Sequence, residues 1–219
     1  MKLLCEQEIR LTPEMMLRRT YRKAPNHPRT SGVHVQAVNK YLGIAAGKLS
    51  DSDADDYPFE RFSDAHYPLL PAIGVVWEEL RASMYGEDDL IWQPGELERD
   101  GIYGTPDGLL IPPAVILPGV SRVAGQVLAM LNTFANWECK ATTKKLQPIT
   151  SCWMYMKQGL SYCAMSGHRH VLYDVLWLCG DYSRPIQPRG TSSLVEFTDQ
   201  EVEGWWAVVV KNKGNVRAE

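Results

Sequence analysis

The chain has 219 residues, 45% hydrophobic and 22% charged, a balance that excludes disordered and fibrous classes and suits one globular core, a single domain or a domain with an extension. Its formal charge of -3 gives no bulk attraction for nucleic acid, so any such partner must be held by local basic clusters. Two are present: Arg18, Arg19, Arg22, Lys23 and Arg29 near the start, and Lys140, Lys144, Lys145 and Lys157 further on.

Taken in chain order, residues 1–65 read as an N-terminal extension and 66–219 as the core. The extension is expected to be largely helical, with short helices near Pro13–Lys23 and His34–Leu42 and an acidic loop at Asp51–Asp56. After Pro71, the residues Ile73, Val76, Trp77 and Leu80 recur at helical spacing and put Glu78 and Glu79 on an amphipathic helix ending near Tyr85-Gly86. Short segments at Leu90–Trp92, Gly101–Gly104 and Leu109–Ile111 read as strands, with Thr105-Pro106-Asp107-Gly108 as the turn between the last two. Pro112–Asn132 reads either as an apolar hairpin or as a loop followed by a helix.

Phe134 to Lys140 alternates with a period of two, which predicts a strand with Glu138 and Lys140 on one face. Ser151–Met165 is helical in pattern, Val171–Cys179 reads as a buried strand and Asp181–Gly190 as a Pro-rich loop. Thr198 and Glu201 form a capping box before a last helix carrying Val202, Trp205, Trp206 and Val209. At that spacing the two tryptophans are core residues first and base-stacking candidates second.

Cys5, Cys139, Cys152, Cys163 and Cys179 include no C-x-x-C pair, so neither a disulfide framework nor a zinc knuckle is indicated, and a reducing, cytoplasmic setting is expected. The longest apolar stretch, Leu109–Val120, is broken by Pro112, Pro113 and Pro118, so no membrane association is expected. His168 and His170 read as a surface pair at a helix-to-strand junction, and His66 lies too far from Gly74 to join a metal motif.

Chemistry concentrates between residues 104 and 162. Hydrolysis of a phosphodiester needs positive charge at the phosphoryl oxygens and an activated water, which hard divalent metals on carboxylates supply. Asp107 at a turn and Glu138 on a strand two residues before Lys140 are suitable groups if adjacent strand ends bring them together.

Gly104-Thr105-Pro106-Asp107-Gly108, then Trp137-Glu138-Cys139-Lys140, then Gln158-Gly159-Leu160-Ser161-Tyr162 resembles the PD-(D/E)XK nuclease superfamily. The likeness is to its branch of RecB-type domains, CRISPR-associated exonucleases and phage recombination exonucleases, which adds a Q-x-x-x-Y motif on the next helix. It covers about residues 70 to 180. The resemblance implies an α/β restriction-endonuclease-like core with a central mixed sheet of four or five strands flanked by helices. It implies Asp107, Glu138 and Lys140 as catalytic residues, and Asp107, Glu138, the main-chain carbonyl of Cys139 and Glu78 as metal ligands. Gln158 and Tyr162 would bind substrate. Upstream, Gly74-Val75-Val76-Trp77-Glu78-Glu79 matches only loosely the family's helix motif, with Glu78 where a metal-binding histidine or glutamate would fall.

The activity implied is cleavage of DNA with Mg2+ or Mn2+, by a phage-type exonuclease in recombination or replication, acting in the host cytoplasm if phage-encoded. A structure-selective endonuclease is the nearest alternative, and a catalytically inactive nucleic-acid-binding module of the same fold or a small-molecule binder are the others. The partners expected are DNA and, beside it, a second copy of the chain or a recombination partner protein. The family's iron-sulfur members use three cysteines after the Q-x-x-x-Y helix; here only Cys179 lies clearly beyond it, so no cluster is expected.

Overall fold

The computed structural model describes residues 1–9, 30–49, 69–112, 114–115, 130–131, 133–142, 144–178 and 189–216. The expected helix at Pro13–Lys23, the acidic loop at Asp51–Asp56, His66, Cys179 and the first basic cluster lie outside them. Among the described residues a six-stranded mixed sheet forms the centre, in the order β1-β11-β10-β9-β6-β3. Its strands are β1 (Lys2–Ile9), β3 (Leu90–Trp92), β6 (Gly108–Leu110), β9 (Ala135–Thr142), β10 (His170–Trp177) and β11 (Arg189–Glu196). Only β9 and β10 run parallel, joined by helix α3 (Trp153–Ser166); the other neighbours are antiparallel.

Alternation along the strands divides the core into two layers. Trp137, Cys139, Leu172 and Leu194 pack under helix α2 (Leu69–Ala82), on which Trp77 and Leu80 are buried. On the other face Val171, Tyr173, Val175 and Val195 meet α1 (Val35–Ala45), α3 and α4 (Asp199–Asn212). α4 starts at the expected capping box, in which the Thr198 side chain accepts from the Glu201 amide and the Glu201 side chain accepts from the Thr198 amide. Such a cap contributes about 1 kcal/mol. α3 ends at Gly167, whose φ of 75° is left-handed, with its amide on the Cys163 carbonyl. Gly159 lets this helix lie close on the sheet, because a Cβ there would collide with the Tyr173 hydroxyl.

Four expectations need correction. The sheet has six strands rather than four or five. The helical N-terminal extension begins instead with β1, which pairs along β11 from Lys2↔Glu196 to Ile9↔Gly190. The loop expected up to Gly190 gives way at Arg189 to β11, an inner strand rich in Ser and Thr. Finally, the turn expected between the segments around Gly101–Gly104 and Leu109–Ile111 joins strands of two different sheets. β5 (Ile102–Gly104) belongs to a second sheet with β2 (Val33–His34) and β4 (Leu97–Arg99), and residues 105–107 cross from it to β6. Of the two readings for residues 112–132, the hairpin fits the paired ends β7 (Ala114–Val115) and β8 (Met130–Leu131), with 116–129 outside the described residues.

Candidate active site

Register explains how Asp107 meets Glu138 and Lys140. β6 starts at Gly108, opposite Trp137, so β9 runs on past the start of its neighbour. The amide of Cys139 then lacks a strand partner on that side and donates to Asp107 Oδ2 at 2.8 Å. Gly108 allows this close crossing, since a Cβ would come within 2.8 Å of the Trp137 ring and 2.7 Å of Leu90.

Lys140 Nζ lies 2.8 Å from Asp107 Oδ2 and 2.7 Å from Glu138 Oε2. Glu138 is fully buried, and among the described residues neither of its oxygens accepts a hydrogen bond in good geometry, Lys140 approaching off the hydrogen-bond line. Burial, with Asp107 adding to it against the counter-effect of Lys140, pushes the Glu138 carboxyl up to about 8. Burial works to lower Lys140, but Asp107 and then Glu138 outweigh it and hold the ammonium well above the ordinary lysine range.

Glu78, on α2, lies near enough to feel the charges of Asp107 and Lys140 but does not converge with Asp107 and Glu138 at ligand distance. Its Oε1 accepts from Trp92 Nε1 at 2.8 Å and Gln93 Nε2 at 3.1 Å. Burial first, and repulsion from Asp107 second, raise its pKa. Gln93 is a residue that sequence reasoning missed. Its amide donates to the Asp107 carbonyl at 2.9 Å while its side chain holds Glu78, so one residue ties two of the acids. It does so with a φ of 48°, a left-handed conformation that a non-glycine residue adopts only when its surroundings enforce it. The adjacent Pro94-Gly95 turn is the one signal in the sequence that could have pointed to it.

The Q-x-x-x-Y pair faces this centre. Tyr162 is buried and donates to the Thr105 carbonyl at 2.9 Å, steadying the crossing that carries Asp107. Its hydroxyl accepts from Gln158 Nε2 at 3.3 Å and from Gln36 Nε2 at 3.2 Å. Gln36, on α1, was not singled out from sequence. By contrast His168 stacks on Phe134 and His170 lies 3.8 Å from Glu196, both away from the acids. Trp206 is core, donating to Asp100 at 2.7 Å, and Trp205 is only half-buried.

Behind the centre, on the α2 side, the buried Asp174 carboxylate accepts from Arg81 Nε at 3.1 Å, Trp137 Nε1 at 2.8 Å and Tyr85 at 3.2 Å, and also from Ser192. Its carbonyl accepts from Trp77 Nε1 at 3.1 Å. This network clamps the helix of Glu78 to the strand of Glu138.

No family model and no curated protein matches the chain. A solved structure, the crystal structure of SSO0001, is similar with a TM-score of 0.41 and 12% identity over 94% of this chain and 83% of that one, too distant to carry an argument. Among the described residues, no helix is long and apolar enough to cross a membrane.

The residues present fit a hard divalent ion that keeps some of its waters. Two carboxylates approach one point, now bridged by an ammonium, and a buried carboxylate oxygen of Glu138 lacks a donor. They do not fit a closed protein cage, since among the described residues no three His, Cys, Asp or Glu side chains converge at ligand distance.

Proposed function

We propose that the chain is a metal-dependent nuclease of the PD-(D/E)XK type that hydrolyses DNA phosphodiester bonds. The observation that carries the reading is the meeting of Asp107, on the crossing into β6, with Glu138 and Lys140 of the neighbouring β9, around one buried and under-bonded carboxylate. The connectivity is compatible with it: α2, then the antiparallel neighbours β3, β6 and β9, then α3 and a parallel β10, is the order that a restriction-endonuclease-like core would require. A phage-type exonuclease is the preferred form, with a structure-selective endonuclease second.

Asp107, Glu138 and the Cys139 carbonyl would hold the ion, with Glu78 completing the acidic side. A divalent cation bound there supplies charge neutralisation at the phosphate and acidifies water. The chain's own groups do the rest. Lys140 stays protonated beside its carboxylates, and its ammonium offsets charge developing on the phosphoryl oxygens and orients the attacking water. Gln158, steadied by Tyr162, presents an amide to the backbone of the strand being cut.

Calorimetric manganese titration tests the assignment. The parent binds manganese, Asp107→Ala loses it, and Lys140→Ala, Gln158→Ala keep affinity near the parent value while cutting DNA more slowly, for Lys140→Ala by on the order of a hundredfold. Parent-like manganese binding by Asp107→Ala overturns the ligand assignment.

A further inference from the structure

One position round α3 from Gln158, Lys157 points to a different part of the surface. Its Nζ lies 4.1 Å from the Trp205 ring centre and 6.0 Å from that of Trp153, and the two indoles meet edge to face at 5.9 Å. Both rings are braced. Trp205 Nε1 donates to Ser161 Oγ at 3.1 Å, and Ser161 is tied to Asn39 on α1 at 3.2 Å. Trp153 opens α3 against α1, where a Cβ at Gly43 would come within 3.0 Å of its ring.

Lys157, Trp153 and Trp205 line a groove of about 680 Å³ together with Lys48, Thr150 and Glu201. That volume lies in the roughly 300 to 1,000 Å³ range of ligand sites. Glu201 is already engaged, accepting from the Thr198 amide and hydroxyl in the capping box. Among the described residues no carboxylate lies within ion-pair distance of Lys157. Burial pushes its pKa below the ordinary lysine range. A half-buried ammonium against two indoles, with Glu201 near enough to be felt but not at ion-pair distance, is a site that an external anion completes.

We propose that this groove holds one unit of a single-stranded nucleic acid, a phosphate on Lys157 and Lys48 and the attached base against Trp153 and Trp205. The choice of a nucleic-acid strand over another anion rests on the nuclease reading; the groove would lead the strand along α3 towards Gln158. Aromatic platforms beside basic residues bind strands with little sequence preference, and each phosphate contact adds salt dependence.

Anisotropy of a labelled twelve-residue oligo-dT, in excess chelator and over a salt series, tests this without requiring cleavage. Lys157→Gln is expected to weaken binding by about 5- to 30-fold at low salt and to reduce the salt slope by about 0.7. Trp205→Leu is expected to weaken it by about 5- to 100-fold. Should Trp205→Leu not fold, Lys157→Gln and Lys48→Gln decide alone. Parent affinity and slope in the lysine variants overturn the proposal, as does dTMP binding as tightly as the oligonucleotide. Strand binding that depends on the groove in a protein that cuts no DNA with any metal would sink the nuclease reading and leave the groove standing.

Discussion

At the scale of single residues, Glu138 is the group under most stress. Its carboxyl is pushed up to about 8 from the ordinary 4.5, so the fold favours the protonated form. Stability from this group is fully present below pH 4.5 and is lost as pH rises through about 8. Glu138→Gln should therefore raise the melting temperature of the metal-free protein by several degrees at pH 8.5 and leave it little changed near pH 4.5. Equal melting of both proteins at pH 8.5 would show that the carboxylate carries no such cost. Gln93 is the complementary case, a strained residue that holds others. Gln93→Gly keeps the left-handed backbone and removes the amide from Glu78. It should weaken manganese binding by about 10- to 100-fold, the usual effect of losing an orienting hydrogen bond, with little change in stability. Unchanged manganese affinity would mean that Glu78 needs no such support.

At the scale of elements, the site is an overhang: β9 outruns β6, and Asp107 takes the amide that the missing strand leaves. What keeps α2 at the right angle to β9 is the buried Arg81–Asp174 pair, with 3.0 Å between Arg81 Nη2 and Asp174 Oδ2. Asp174→Ala removes the carboxylate to which Arg81 Nε and the Trp137 indole N–H donate, leaving Arg81 its contacts with Ser192 and Met84, and should cost about 3 to 5 kcal/mol in urea unfolding. A loss under about 1 kcal/mol would mean that water or repacking replaces the carboxylate. The same elements show what a sequence can reveal. The period-two alternation at Phe134–Lys140 and the helical spacing after Pro71 mark β9 and α2, although β9 is buried on both faces from Ala135 to Cys139 and Val76 of the expected stripe is exposed while Trp77 and Leu80 are buried. β11 escaped because Thr191, Ser192 and Ser193 are buried polar residues, satisfied by Trp177, Asp174 and Glu6 at distant positions. The Arg81–Asp174 clamp escaped for the same reason, each member looking like an ordinary charged residue until its partner is known. Asp107, Glu138 and Lys140 were legible as a set through motif order; the residues that orient them were not.

At the scale of the whole molecule, the acidic balance of the chain and its proposed anionic substrate are reconciled by placement. Lys140 at the centre, Lys157 in the groove and Lys144 and Lys145 on the connection between β9 and α3 gather positive charge along one sequence region while the net charge stays at -3. A cation bound between Asp107 and Glu138 would turn a locally repulsive site into an attractive one for phosphate. The central claim is therefore metal-dependent cleavage. Its most direct test is single-turnover cutting of end-labelled linear, circular and single-stranded DNA, in magnesium or manganese and in excess chelator. Cleavage of at least one DNA form with metal is expected, abolished by chelator and by Asp107→Ala or Glu138→Ala. Cleavage undiminished in excess chelator, or no cleavage of any form by the parent protein with either metal, would contradict it.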